Sequence, residues 1–259
     1  VSRTPAVLLR YVDLDTCGDG PAQRALLGPA ERDRHARIAV PRAAARFVAA
    51  QGALRLITAR YCGVPAGELG WTRSRHGKPR LTAPDASVQV SLSHAGGRAA
   101  IAITRGREVG VDLEEIRPGP PPLPLGTRGL TIGPGGFFAA WTRMEACVKA
   151  SGGRLTDGLS LLSAGPGPVH VNDGVLAGAR WFVRQPSGPP GHAAAVAVVG
   201  DGPFDLDVGW FRPPDRWSAP GPQPASASRK PATTSTNRSG SSTHGRCPDS
   251  SSTCRRAPS

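Results

Sequence analysis

Residues 110–114 read Gly-Val-Asp-Leu-Glu, and residues 141–150 read Trp-Thr-Arg-Met-Glu-Ala-Cys-Val-Lys-Ala. The first stretch predicts a strand over Val109–Glu114. Residues two apart on a strand share a face, so Asp112 and Glu114 project together while Val111 and Leu113 point the other way. The second stretch belongs to a predicted helix, Phe137–Ala150, on which Phe137, Trp141, Met144 and Val148 form an apolar stripe. Glu145 and Lys149 lie one turn apart and meet on its surface. Two adjacent carboxylates repel unless a cation or a proton intervenes. Asp112 and Glu114 are therefore either a solvated strand end or part of a site for a hard divalent ion. Glu145 and Lys149 are either a surface ion pair or part of the same site.

Working outward, Val7–Leu14 reads as a first strand, Pro29–Arg37 as a charged helical turn, and Ala43–Tyr61 as an amphipathic helix ended by Gly63 and Pro65. Val88–Ser93 and Ala99–Thr104 read as two strands around the turn Gly96-Gly97. Val169–Val171, Ala179–Arg184, Ala193–Val199 and Leu206–Phe211 read as the strands of a second sheet. A third set of polar residues lies upstream: Gly77-Lys78-Pro79, then Ser91-Leu92-Ser93-His94. Lys78, held between Gly77 and Pro79, suits a phosphate or a nucleotide base. Ser93-His94 lacks the G-x-S-x-G elbow of a serine hydrolase, and His94 is equally a histidine satisfied near a turn.

The net charge is +13, of which the segment 218–259 supplies +5 from six basic residues and one acidic residue. A basic body favours anionic partners, whether nucleic acid, membrane surface, polyphosphate or acidic protein. Cys17, Cys62, Cys147, Cys247 and Cys254 show neither zinc-ligand spacing nor a disulfide framework. The sequence shows no signal peptide and no bilayer-spanning run. The expectation is a soluble cytoplasmic protein. Residues 117–136 are rich in Pro and Gly and read as a loop. Residues 218–259, rich in Ser, Thr and Pro, read as a disordered tail.

The order of these motifs carries more than any one of them. G-K-P, S-x-S-H, G-V-D-x-E and W-T-x-x-E-A-x-x-K-A, in that sequence, resemble the Sfp-type 4′-phosphopantetheinyl transferases over roughly residues 7–211. The resemblance implies an α+β fold of two pseudo-symmetric halves, 1–105 and 106–217, with coenzyme A in the cleft between them. It implies Mg²⁺ on Asp112, Glu114 and Glu145. Glu145 would be the general base, and Lys149 would act on the leaving phosphate. Around coenzyme A it implies Lys78, Pro79, Ser93 and His94, with Arg34 and Arg46 at the 3′-phosphate and adenine end. The implied reaction moves 4′-phosphopantetheine onto a serine of an acidic acyl or peptidyl carrier protein and releases 3′,5′-ADP. Such carriers serve polyketide, nonribosomal peptide or fatty acid synthesis. The implied state is a monomer, with no nucleic-acid or membrane partner. Two departures stand out. Met144 occupies a position usually held by lysine, which predicts weaker phosphate binding or carboxylate orientation. The 117–136 connection replaces a helix that often contributes another glutamate. A homologue that binds coenzyme A or carrier without turnover, and a basic nucleic-acid-binding protein, are the alternatives.

Overall fold

The computed structural model describes residues 6–118, 134–163, 166–171 and 176–213. Most of the 117–136 connection and the whole 218–259 segment lie outside the described residues. The chain divides into two units, Val1–Pro222 and Gln223–Ser259, and the elements below belong to the first.

In chain order these are β1 (Ala6–Asp13), α1 (Leu14–Cys17), α2 (Pro21–Ala25), α3 (Pro29–Ala36), α4 (Pro41–Cys62), β2 (Gly70–Arg73), β3 (Pro79–Ala83), β4 (Val88–Ala95), β5 (Arg98–Arg105) and β6 (Val109–Glu115). There follow α5 (Pro134–Ser151), a 3₁₀ segment Leu155–Ser163, β7 (Gly167–His170), β8 (Arg180–Arg184), β9 (His192–Val199) and β10 (Asp205–Trp210). Helices and largely antiparallel sheets are thus mixed, compatible with an α+β architecture. One sheet runs β10-β1-β5-β4, another β6-β9-β8-β7, and β2-β3 is a separate hairpin.

Alternation along the strands sorts the apolar residues into three layers. Val12, Val90, Ile101 and Ile103 face α4, where Ala50, Leu54 and Ile57 meet them. The opposite face of the same strands presents Val7, Leu9, Ala100 and Ala102 to Val109, Val111, Leu113, Val196 and Val198 of the other sheet. That second sheet turns Trp181, Val183, Ala195 and Ala197 outward to Met144, Cys147 and Ala150 of α5. Each sheet therefore carries a helix on its outer face, and the two sheets bury apolar surface against each other.

The α4 helix has Pro41 in its first turn, where the missing N–H costs nothing. It ends at Gly63, whose left-handed conformation (φ 71°) lets its N–H reach back to the last turn. The α5 helix depends on Gly110. In the β6–β9 register Gly110 opposes Ala197, and Asp112 opposes Ala195. Small residues on this face let the helix descend onto the sheet. A β-carbon on Gly110 would lie 2.0 Å from the Ala146 carbonyl oxygen and 2.4 Å from the Ala150 nitrogen.

Two features differ from the sequence expectation. Leu206–Phe211 was assigned to the second sheet, but β10 pairs parallel with β1, Leu206 opposite Val7 and Trp210 opposite Tyr11. Alternation marks a strand without naming its partner. Here β1 has one edge taken by β5, and the returning chain covers the other while Phe204 and Phe211 anchor it in separate apolar clusters. The β2-β3 hairpin was missed altogether. Its strands are short, and among their residues only Leu81 is buried, so they lack an alternating pattern.

Replacing Gly110 with Ala forces backbone apart from backbone. Overpacking of this kind should cost about 3 kcal/mol, read as a clearly lowered midpoint in thermal or denaturant unfolding. A Gly110→Ala variant as stable as the parent would show that α5 does not rest on this contact.

Candidate active site

With α5 seated on Gly110, the next two outward residues of that face, Asp112 and Glu114, project beside the helix turn that bears Glu145 and Lys149. One carboxylate oxygen from each of Asp112, Glu114 and Glu145 lies within 4.8 Å of the others. Asp112 is 1% exposed. Its Oδ1 accepts from the Lys149 ammonium at 2.5 Å and from the Ser93 hydroxyl at 2.8 Å. Lys149 Nζ also donates to Ser93 Oγ at 3.0 Å and lies 3.3 Å from Glu145. The other oxygen of Asp112, Oδ2, is buried and has no hydrogen-bond partner. A buried anionic oxygen left unpaired is costly. Three convergent carboxylates with such an orphan oxygen fit a hard divalent cation.

Ser91, two residues before Ser93, accepts the Val111 N–H at 3.0 Å. The S-x-S spacing on β4 thus binds β6 at two successive points, one through backbone and one through the Asp112 carboxylate.

The remaining sequence-predicted residues separate into two groups. Arg34, Arg46 and His94 line one cavity of about 510 Å³, together with Arg42 and Phe47. The Arg34 guanidinium lies 5.3 Å from the centre of the Phe47 ring. Arg46 is held by Asp15 through two hydrogen bonds of 2.7 and 2.8 Å, and Arg42 donates to the same carboxylate at 3.0 Å. Lys78 and Pro79 line a different cavity, of about 190 Å³, with Lys149, Ser91 and Gly152. There Lys78 donates to Glu108 at 2.6 Å and to the Ala150 carbonyl at 3.0 Å, while His76 Nδ1 lies 2.7 Å from the Gly152 carbonyl oxygen. The G-K-P loop thus closes the C-terminal end of α5, where a cation complements exposed carbonyls.

No family model matches the chain. Curated relatives do. The chain is 32% identical over 153 residues to the 4′-phosphopantetheinyl transferase HetI of Nostoc sp., covering 53% of this chain and 63% of that protein. It is 31% identical over 109 residues to the 4′-phosphopantetheinyl transferase AcpT of Salmonella typhimurium, covering 37% and 56%. A third relative, slr0495 of Synechocystis sp., is 30% identical over 154 residues, covering 54% and 63%, and its name assigns it to the same family provisionally. The chain is thus similar, over about half its length, to proteins named as 4′-phosphopantetheinyl transferases. It spans under two thirds of the length of these relatives.

The electrostatics of the carboxylate cluster follow from its burial. Desolvation, reinforced by the Asp112 and Glu145 charges, pushes Glu114 up to about 7. Glu145 is also raised, by burial first and by Asp112 second, with Lys149 opposing. For Lys149 burial favours the neutral amine, but Asp112 and Glu145 outweigh it and the ammonium is stabilised. His94 is lowered, by desolvation first and then by the Lys149 and Arg34 charges. Lys78 is lowered by burial, with Glu108 opposing.

Met144 lies on the apolar stripe read from the sequence, and the structure adds its packing partners. Met144 is fully buried among Trp181, Ala195 and Ala197, and its Sδ would lie 3.5 Å from a β-carbon on Gly158. Its side chain completes the packing beneath α5 rather than lying among the carboxylates. Asp15 and Glu108, which partner Arg46 and Lys78, were missed because each stands far from its cation in sequence and has no motif of its own, and Arg42, which shares Asp15 with Arg46, was missed with them.

Glu114 gives the metal-free protein a pH signature. Between its ordinary value of 4.5 and about 7, the folded chain retains a proton that the unfolded chain has released. This contribution to stability is therefore lost as pH rises through that window. In EDTA, the melting temperature of the parent should fall more steeply from pH 5 to pH 8 than that of Glu114→Gln. Added Mg²⁺ at pH 8 should raise the parent's melting temperature and leave Asp112→Asn largely unmoved. Identical slopes for parent and Glu114→Gln would remove Glu114 as the cause.

Proposed function

We propose that this protein transfers the 4′-phosphopantetheine group of coenzyme A to a serine of an apo acyl or peptidyl carrier protein, releasing 3′,5′-ADP. The observation that carries this reading is the convergent trio Asp112, Glu114 and Glu145, with the orphaned oxygen of buried Asp112 and the Lys149 ammonium at its edge. The reading includes two pseudo-symmetric halves, 1–105 and 106–217, with coenzyme A in the cleft between them. The names of HetI and AcpT support the reaction class.

Asp112, Glu114 and Glu145 would hold Mg²⁺. When bound, that ion supplies charge neutralisation for the coenzyme A pyrophosphate. Phosphoryl-type transfer needs positioning and charge stabilisation more than a strong nucleophile. In this reaction the carrier serine oxygen forms the new bond to the β-phosphorus, and the bond from that phosphorus to the oxygen of the 3′,5′-ADP leaving group breaks. Glu145 takes the serine proton. Its affinity for a proton, raised by burial, suits a base working near neutrality. Lys149, kept cationic by Asp112 and Glu145, balances charge on the departing phosphate.

Arg34, Arg46 and His94 would take the 3′-phosphate and adenine end, since they share one cavity. Arg42 joins them there. Lys78, Pro79 and Ser93 would line the nucleotide side nearer Lys149. The basic body would draw an acidic carrier by long-range attraction. We place the protein in the cytoplasm as a monomer, acting on carriers of polyketide, nonribosomal peptide or fatty acid synthases. Among the described residues no helix is long and apolar enough to cross a membrane.

Incubation with coenzyme A, Mg²⁺ and an apo carrier, followed by intact mass measurement, tests the reading. The carrier should gain one phosphopantetheinyl mass, and Glu145→Gln should lower the rate by at least about a hundredfold, within the usual range for loss of a general base, while melting as a folded protein. Coenzyme A binding without a mass shift across several carriers would replace the transferase with a binding-only homologue. Full activity in Glu145→Gln would overturn the assignment of the base.

A further inference from the structure

Behind the cavity that holds Arg34, Arg42, Arg46 and His94 stands an acidic residue that does not itself line it, Asp15. Asp15 lies in α1, the single helical turn after β1. Its N–H donates to Asp13 Oδ1 at 3.1 Å, and the Leu14 N–H donates to the Gly97 carbonyl at 2.9 Å. Asp13 is in turn paired with Arg98 at 2.9 Å. These contacts tie α1 to the turn between β4 and β5 and leave the Asp15 carboxylate against α4.

There it accepts from two arginines one turn apart on the helix. Arg46 donates through Nε to Oδ1 at 2.7 Å and through Nη2 to Oδ2 at 2.8 Å, and Arg42 donates through Nη2 to Oδ2 at 3.0 Å. These bonds, those of Arg46 first, hold the Asp15 carboxyl well below the usual carboxylate range, so the pair stays ionised at neutral pH. The Nη1 group of Arg46 makes no hydrogen bond among the described residues. The Asp15 side chain is 39% exposed, and an ion pair this open contributes little to stability. What it fixes is direction: two long, rotatable side chains are ordered before a ligand arrives. Gly97 shows how closely they are seated. A β-carbon there would lie 2.7 Å from Asp15 Oδ2 and 3.0 Å from Arg46 Nη2.

We propose that Asp15 is a positioning residue for nucleotide choice: by holding Arg42 and Arg46 at the cavity, it sets the preference for coenzyme A over 3′-dephospho-coenzyme A. The inference rests on the transferase reading above, which puts the 3′-phosphate in this cavity. Charge and geometry predict opposite outcomes. As a counter-charge alone, Asp15 weakens the pull on a phosphate, and its removal would tighten binding. As the residue that orders the two guanidinium groups, its removal loosens binding, because the ligand must then order them itself.

Calorimetric titration of coenzyme A and of 3′-dephospho-coenzyme A into the full chain, with Mg²⁺ and no carrier protein, separates the two. The parent should prefer coenzyme A at least tenfold. Asp15→Ala should lose at least fivefold in affinity for coenzyme A and less than twofold for the dephospho form. Asp15→Asn, which keeps one oxygen as an acceptor, should lie between. Gly97→Ala, which displaces the pair and leaves every charge in place, should reproduce the loss. All three variants should keep the parent's near-ultraviolet circular dichroism. Coenzyme A binding that is unchanged or tighter in Asp15→Ala overturns the proposal. So does an equal loss for both nucleotides, or a Gly97→Ala variant that binds as the parent does; in each case the parent's own preference still supports the placement of the 3′-phosphate. A parent that binds both nucleotides equally overturns that placement, and the proposal with it.

Discussion

The descent of α5 onto Gly110 is the constraint on which the site depends. A β-carbon there would stand inside the helix backbone, 2.0 Å from the Ala146 carbonyl oxygen. Without one, the helix lies directly on β6. Glu145 and Lys149 then reach the carboxylates that follow Gly110 at strand spacing. The glycine and the two acids are one device: the first sets the distance between elements, and the others use it. Ala195 and Ala197 on the neighbouring strand extend the same low floor beneath the helix.

A second constraint holds the strand itself. β4 and β6 belong to different sheets, yet Ser91 accepts the Val111 N–H and Ser93 donates to Asp112. These bonds engage one oxygen of Asp112 and keep the carboxylate from turning. The other oxygen is left without a protein partner. A satisfied aspartate would have no reason to bind anything. An aspartate fixed through one oxygen and unsatisfied at the other is preorganised for a ligand.

The sequence made the long elements legible because burial imposed their periodicity. Ala43–Tyr61 lies within α4, and Val109–Glu114 and Phe137–Ala150 lie within β6 and α5. The site was legible through motif order, and geometry brings Asp112, Glu114, Glu145 and Lys149 together. What stayed hidden were relations set by distant pairing. The strand partner of β10 depends on which edge of β1 is free, a property of the assembled sheet. The 3₁₀ segment and the β2-β3 hairpin are too short for periodicity to show. Met144 read two ways, as one residue of the apolar stripe and as a lysine's replacement beside Glu145, and its burial agrees with the first. On a helix, adjacent residues point about 100° apart, and that turn carries Met144 into the core.

Charge explains why Lys149 accompanies a cluster that could hold a cation. Three ionised carboxylates so close together would repel strongly in a partly desolvated site. One ammonium removes a third of that charge and leaves two negative charges, the amount a single divalent ion neutralises. Glu114, raised to about 7 by burial first and by the Asp112 and Glu145 charges after it, keeps a proton in the metal-free protein at the position a cation could take. Removing Lys149 would leave the trio short of charge even with an ion bound, and would free the Asp112 oxygen that it now occupies. The lysine therefore has two linked tasks: it limits the negative charge of the cluster, and it engages Asp112 Oδ1 so that Oδ2 is the oxygen left without a partner.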